Sequence, residues 1–504
     1  MSRPTIQITS GELARNIQFQ VKNRLGLIVG LAAASVGLLL FFDAKHIEAL
    51  VCLIAGVLIP VVAWCSRSHP GLPLVGLIAL QTLFIFATPI FAQNPSLAHY
   101  PDSDTLSAAI EVFVFCAALA GGWRLGMRND LPAQPEREFW GLTVLRLDEP
   151  RKLARAALGL FTASTLYELA LIMGALDVVF ELLPTGSFSI IRTLFDSAAL
   201  AGTLIGGYTI GHRVMPPNER FGFWTLLTLY CAAKCSSILL SSMTGVIAST
   251  ALGYFLGARR PPWVFLALVA GTAAFLNLSK FEMRAKYWDV YGYSKGVGLT
   301  ELPGYYAEWA GHSLNVIIRN RSITAEEEEV GQQLTDRLNN LQNLLYAQDA
   351  INRRGVPLLG GETYYTIPEL LIPRFLWPDK PRSHEGQVML NVHFGRQRRE
   401  DSFTTYIAWG LLAEAYGNFG AFWGALICGL VLGLAAGALE RWIRPYPLTS
   451  LEAFFFLLIA VNFSLSFEMV ASVWVTSIFQ MIIALIACVV PFAKREKFVP
   501  PASA

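Results

Sequence analysis

Arg374, Lys380 and Arg382 lie within nine residues of one another in a proline-rich stretch of this chain. Guanidinium forks and an ammonium so close together suit a phosphate group. His384 and Glu385 follow at once and are able to give or take a proton. Further on, Glu414 stands where a polar segment gives way to a long apolar run, and a carboxylate so near hydrocarbon is costly without a task or a partner. Each group also has a plainer reading: lipid headgroup contact for the cations, solvation for the His-Glu pair, a water-facing interfacial position for Glu414.

The stretch that carries the cations is Glu362-Thr-Tyr-Tyr-Thr-Ile-Pro-Glu-Leu-Leu-Ile-Pro-Arg-Phe-Leu-Trp-Pro-Asp-Lys-Pro381. Prolines 368, 373, 378 and 381 preclude a long helix and stiffen the segment. Its tyrosines and Trp377 fit a membrane interface and equally a platform for sugar rings. Upstream, Thr324 with Glu327 reads as a capping box, and Val330, Leu334, Leu338, Leu341 and Leu345 continue at helical spacing. Arg353 and Arg354 before Gly355 mark the helix end, and Glu326 to Glu329 favour its first turn through the helix dipole.

These segments belong to a chain that water alone does not solvate. Of 504 residues, 54% are apolar and 15% charged, against about 25% charged in soluble domains. Apolar runs of spanning length cover 25–42, 47–64, 71–92, 106–123, 156–183, 193–211, 262–279, 419–439, 451–467 and 470–492. The run 221–256 has turn-forming Ser241, Ser242, Thr244 and Gly245 at its middle and reads as two helices, giving about twelve spans. The expected fold is therefore all-α: an N-terminal bundle of about nine spans (1–279), a large outer loop module (280–405), about three C-terminal spans (406–493) and a tail (494–504).

No cleavable signal peptide is apparent, so the first helix is expected to be a retained anchor. With the N-terminus cytoplasmic, the short loops on that side collect nearly all the basic residues, while the opposite short loops hold only Lys45 and Arg192. Both termini are thus expected inside and 280–405 outside. Cys52, Cys65, Cys116, Cys231, Cys235, Cys428 and Cys488 all fall in or beside spans, so no disulfide framework, metal or cofactor site is expected. A net charge of +2 gives no electrostatic case for nucleic acid. Lys234 and Asp196 inside spans should face the bundle interior, with an ion pair the simplest role, and Gly420, Gly424, Gly429, Gly433 and Gly437 should let helices pack closely.

The span number, the single large late outer loop, the phrase Ile372-Pro-Arg-Phe-Leu-Trp-Pro-Asp-Lys-Pro381, then Thr404 and Glu414-Ala-Tyr-Gly-Asn-Phe-Gly420, together resemble the O-antigen and exopolysaccharide repeat-unit polymerases of the Wzy type. The spelled motifs cover about 60 residues. The resemblance implies a glycosyltransferase in the bacterial inner membrane whose donor and acceptor are both undecaprenyl-pyrophosphate-linked glycans, and it implies a chain-length regulator and a flippase as partners. Stabilising a departing pyrophosphate would fall to Arg374, Lys380 and Arg382, with Arg353 or Arg354; Trp377, Thr404 and Asn418 would contact substrate; and Glu414, His384 or Glu385 would deprotonate the acceptor hydroxyl. Three alternatives stand beside it. An O-antigen ligase shares the architecture. A glycosyltransferase using a polyprenyl-phosphate sugar would use the acidic Asp102 and Asp104. A lipid-linked sugar transporter would show two similar halves with short loops, which the late loop does not favour.

Overall fold

The computed structural model describes residues 9–41, 44–128, 139–183, 187–289, 296–319, 339–374, 376–377, 379–403, 407–466 and 469–498. It is built of helices: α1 Ser10–Phe41, α2 Ile47–Cys65, α3 Leu74–Phe91, α4 Asp102–Gly126, α5 Pro150–Ile172, α6 Asp177–Leu182, α7 Ser187–Gly211, α8 Pro217–Cys235, α9 Thr244–Ala258, α10 Trp263–Asn277, α11 Lys280–Tyr287 and α12 Leu302–Arg319. Then come α13 Asn340–Asn352, α14 Glu362–Tyr365, α15 Ile367–Leu371, α16 Glu385–His393, α17 Leu411–Phe419, α18 Trp423–Ile443, α19 Leu451–Leu465 and α20 Ala471–Val489.

Among the described residues, nine helices are long and apolar enough to cross a membrane, or ten if α10 and α11, bent by 59°, form one span. Each of the twelve apolar runs does fold as helix, yet two fall short as spans: α8 carries Glu219, Arg220 and Lys234, and α19 has only 15 residues. The run 156–183 is also not continuous. Helix α5 stops at Ile172, Gly174 takes φ +67°, and α6 follows separately. The turn expected at Ser241 comes earlier, at 236–239, where Ile238 adopts φ 61°.

The short connections separate into two faces. On one, β1 Phe139–Thr143 pairs antiparallel with β2 Lys494–Phe498, and Val144 N–H donates to the Thr449 carbonyl at 2.9 Å. The fold is all-α as expected, and this one small sheet among the described residues is where the tail finds backbone partners in the 139–143 segment. On the other face, His46 pairs with Asp102 at 2.7 Å, Asn339 donates to Ser96 at 2.8 Å and Arg353 pairs with Asp104 at 2.5 Å.

Glycines set the closest helix approaches. A methyl group at Gly433 of α18 would lie 2.1 Å from the Leu119 carbonyl oxygen of α4, and one at Gly253 of α9 would lie 2.1 Å from that of Leu204 in α7. Small residues allow such contact where no hydrophobic driving force separates helix from lipid. The Lys234 ammonium sits between Glu168 at 2.5 Å and Asp196 at 2.8 Å, the interior ion pair expected, with Glu168 as an unforeseen third member.

Three buried carboxylates cap neighbouring helices. Glu440 accepts from the Val75 N–H at 2.9 Å at the start of α3, Glu111 from Phe422 N–H at 2.9 Å just before α18, and Glu414 from Ala471 N–H at 2.7 Å at the start of α20. The first amides of a helix lack intrahelical partners and carry positive dipole charge, so a carboxylate satisfies both needs where water is excluded. The caps also fix depth. Helix α18 begins beside Glu111, nine residues into α4, or about 13 Å along its axis. Gln81, ten residues before the end of α3, donates to the Ser464 carbonyl near the end of α19. The start of α18 and the end of α19 are therefore sunk beneath the neighbouring ends of α4 and α3, and the described residues of 339–419 fill the depression.

Candidate functional site

The filling of that depression begins with α13, started by Asn339, whose side-chain oxygen accepts from Gln342 N–H at 2.9 Å, and ended by Gly355 at φ +68°. Asn339 itself is not helical, so the described helix starts at Asn340 rather than running on from the Thr324 box; that box, Glu326 to Glu329, Val330, Leu334 and Leu338 lie outside the described residues. Leu341, Leu344 and Leu345 face the core and leave Tyr346, Asp349, Arg353 and Arg354 toward the loops.

Around Tyr346 the cations converge. The Arg354 guanidinium lies 4.7 Å from the ring centroid and that of Arg396 lies 4.9 Å from it, while Arg396 is also 5.3 Å from the Trp409 ring. Tyr346 OH donates to the Phe394 carbonyl at 2.8 Å, Trp409 Nε1 donates to Asn391 at 2.7 Å, and both rings are thereby fixed. Arg354 and Arg353 share Asp349. Arg396 donates to Asn343 at 3.0 Å, and among the described residues its further contacts are with Tyr346, Trp409 and Tyr100, none of them a carboxylate. Burial lowers its pKa from the ordinary guanidinium value. A desolvated cation surrounded by ring faces attracts an anion.

Trp409 has a second surface, which walls an apolar groove of about 520 Å³ counting its open side. Ile78, Phe86, Phe115, Leu412, Phe463 and Trp474 also line it.

The residues singled out in sequence fall into three groups. Glu414 and Asn418 form a buried knot: Glu414 Oε1 accepts from Thr363 Oγ1 at 2.8 Å, Asn418 Nδ2 donates to the same hydroxyl at 2.9 Å, and Asn418 Oδ1 accepts from Gly361 N–H at 3.1 Å. Glu414 has no exposed surface and both its oxygens are engaged, so it anchors chain rather than facing a substrate. Gly361 needs φ +99° to bring its amide there. Burial pushes the Glu414 carboxyl up to about 7, against the opposing pull of the Ala471 and Thr363 hydrogen bonds.

The second group ties its own loop. Lys380 Nζ donates to the carbonyls of Leu370 and Ile372 at 2.9 and 2.6 Å, closing the end of α15. Burial first, and then the nearby Arg374, hold its pKa below the ordinary value. Arg374 donates to the Pro381 carbonyl at 3.2 Å, and Arg382 to Ser402 at 3.4 Å while also facing Glu385 at 3.7 Å. Glu385 receives Arg399 at 2.9 Å, and His384 Nδ1 meets Gln387 Oε1 at 3.0 Å. Trp377 is 38% exposed.

The third group is Arg353 and Arg354, which the structure does bring to the cationic cluster. Thr404 lies outside the described residues. Asp102 and Asp104 do not converge: Asp102 contacts His46 at 2.7 Å and Asp104 pairs with Arg353 at 2.5 Å. All seven cysteines are free thiols. Tyr346, Trp409 and Arg396 carry no local signal in the sequence, because their meeting depends on the fold.

No family model matches the chain, and no curated protein or solved structure matches it either.

Proposed function

We propose that this protein is a membrane glycosyltransferase that joins undecaprenyl-pyrophosphate-linked oligosaccharide repeat units into O-antigen or exopolysaccharide. The observation that carries the reading is Arg396: among the described residues its half-buried guanidinium contacts ring faces and an amide and no carboxylate, beside an apolar groove. An amphiphile with an anionic diphosphate head matches that pairing of cation and apolar wall.

In this reading an acceptor hydroxyl attacks the anomeric carbon of the donor glycan. The new C–O bond forms as the bond to the diphosphate breaks, and the electron pair leaves with the diphosphate. Arg396 and Arg354 stabilise that developing charge. The hydroxyl proton passes to His384 or Glu385, since Glu414 is occupied as an anchor. Arg374, Lys380 and Arg382 shape the loop that closes over the substrate rather than hold phosphate.

In this reading the chain lies in the bacterial inner membrane with both termini cytoplasmic and 280–405 at the periplasmic face, an orientation the bias of basic residues in the short loops supports. A chain-length regulator and a flippase are its expected partners. A ligase would use the same leaving group and differ only in acceptor, whereas an enzyme that uses Asp102 and Asp104 has to displace two existing contacts.

The test is deletion of the gene and complementation with Arg396→Gln. The deletion strain should carry single repeat units in place of a polymer ladder, and the variant should not restore the ladder. Full-length polymer without the gene would overturn the reading. Loss of polysaccharide from the lipid A core, with polymer still made on its lipid carrier, would replace it with the ligase.

A further inference from the structure

The loop between α3 and α4 is fastened along α13 at two points. Asn339 Nδ2, just before α13, donates to Ser96 Oγ at 2.8 Å, and Arg353, just after it, pairs with Asp104 at 2.5 Å. Tyr100 comes four residues after Ser96 and four before Asp104, as Tyr346 comes seven after Asn339 and seven before Arg353. The two fastenings lay the middle of the loop along the middle of the helix, where Arg354 and Arg396 flank the Tyr346 ring. Asp349, Arg396, Tyr346 and Arg354 are accordingly the groups whose charge reaches the Tyr100 hydroxyl.

Most polar groups around this cluster are engaged. Tyr346 OH donates to the Phe394 carbonyl, Trp409 Nε1 donates to Asn391, and Asp349 and Asp104 are both held by arginine. Tyr100 differs. It is partly buried against the core, yet among the described residues its hydroxyl has no hydrogen-bond partner and is not closed off from water. Burial first, and then the Asp349 carboxylate, hold its pKa above the ordinary phenol value, so it keeps its proton and is able to donate.

A guanidinium carries five N–H donors. Among the described residues Arg396 uses one on Asn343 and Arg354 faces Asp349 at 3.4 Å, so donors on both remain unused. Guanidinium N–H groups and a phenol O–H at one place ask for an acceptor rich in lone pairs and negative charge, which phosphate oxygens supply. A diphosphate has oxygens on two phosphorus centres, enough for both arginines and a third donor.

We propose that Tyr100 belongs to the anion site, donating its hydroxyl to a diphosphate oxygen beside Arg396 and Arg354. The inference rests on the function proposed above for the identity of the anion, and it adds the loop before α4 to the site. In the transfer step Tyr100 holds the departing diphosphate while its own proton stays on the phenol.

The experiment is titration calorimetry of inorganic pyrophosphate into the full-length protein in phosphatidylcholine nanodiscs, for wild type, Tyr100→Phe and Arg396→Gln. Tyr100→Phe keeps the packed ring and gives up no hydrogen bond to the described residues, so its unfolding midpoint should equal that of the wild type. Its dissociation constant for pyrophosphate should rise at least about tenfold, the loss of a hydrogen bond to a charged group. Dihexanoyl phosphatidylglycerol, a soluble lipid with one phosphate, should not displace pyrophosphate from the wild type. Unchanged pyrophosphate binding in Tyr100→Phe overturns the proposal. So does a lowered unfolding midpoint, which would give the hydroxyl a structural task, or displacement by the phosphatidylglycerol, which would make the anion a lipid headgroup. Arg396→Gln separates the two claims. If it loses pyrophosphate binding while Tyr100→Phe keeps it, only this inference falls; if the wild type binds no pyrophosphate, or Arg396→Gln binds it unchanged, the functional reading falls as well.

Discussion

Glu414 on α17 accepts the backbone N–H of Ala471, the first residue of α20, at 2.7 Å, with its other oxygen on Thr363 at 2.8 Å. One carboxylate therefore joins α14 to α17 and α20. Glu414→Gln keeps the volume but presents one oxygen where two acceptors are needed, so one of the two donors faces an NH₂ group. Leaving a buried donor unmade costs about 1–3 kcal/mol. Thermal unfolding in detergent should shift down accordingly. A variant with wild-type stability and lost activity would instead return Glu414 to the role of base.

The same carboxylate makes stability depend on pH. Its pKa rises from 4.5 in the unfolded chain to about 7 in the folded one, so between those values the folded state holds the extra proton. Stability then falls as pH rises through that window and is constant above it. The shift corresponds to up to about 3 kcal/mol. Unfolding followed at pH 5 and pH 8 should show the wild type losing stability at the higher pH more than Glu414→Gln. A variant as pH-sensitive as the wild type would show that other groups set the dependence.

Arg396 and Arg374 separate two kinds of cation. Arg396→Gln should weaken inorganic pyrophosphate binding by at least about tenfold, the loss of a charge-assisted contact. Arg374→Gln, which gives up a bond to the Pro381 carbonyl, should weaken it less than threefold. Titration calorimetry on both purified variants decides between them, and the reverse order would place the anion on the 374–382 loop.

Legibility followed from how local the cause was. The apolar runs gave helices because length and composition act within one segment, and Gly429, Gly433 and Gly437 were readable from their spacing. The facing positions Leu119, Trp123 and Gly126 were not, since nothing in α4 names α18 as its neighbour. Glu440, just past the run 419–439, carried no signal for the same reason: its partners, Val75 and Trp123, lie far away in sequence. The site divided in the same way. Arg374, Lys380 and Arg382 look like a phosphate cluster by proximity in sequence, but backbone carbonyls only a few residues away claim two of them. Arg396, Tyr346 and Trp409 come from three separate segments and meet only once α13 is laid over α17.

Gly433 and Gly271 test the close packing. A methyl at Gly433 would meet the Leu119 carbonyl at 2.1 Å, whereas nothing lies within 4 Å of one at Gly271. Gly433→Ala should cost about 1–3 kcal/mol through forced separation of α4 and α18. Gly271→Ala should be neutral or gain up to about 1 kcal/mol from helix propensity. Unfolding midpoints of the two single variants should therefore move in opposite directions or differ by several degrees. Equal midpoints would mean that α4 and α18 separate without penalty.

Lys234 holds Glu168 and Asp196 together where water is scarce, with Glu168 and Lys234 only 9% and 11% exposed. Removing one partner of such a group leaves charge uncompensated, and the penalty is about 3–5 kcal/mol. Lys234→Met should therefore reduce the folded yield sharply. The triple change Lys234→Met, Glu168→Gln, Asp196→Asn removes all three charges and should recover much of it, because the loss comes from the orphaned carboxylates and not from a missing attraction. Yield by size-exclusion chromatography reads both. A triple variant no better folded than Lys234→Met would show that the three side chains hold α5, α7 and α8 together by their hydrogen bonds, independent of charge.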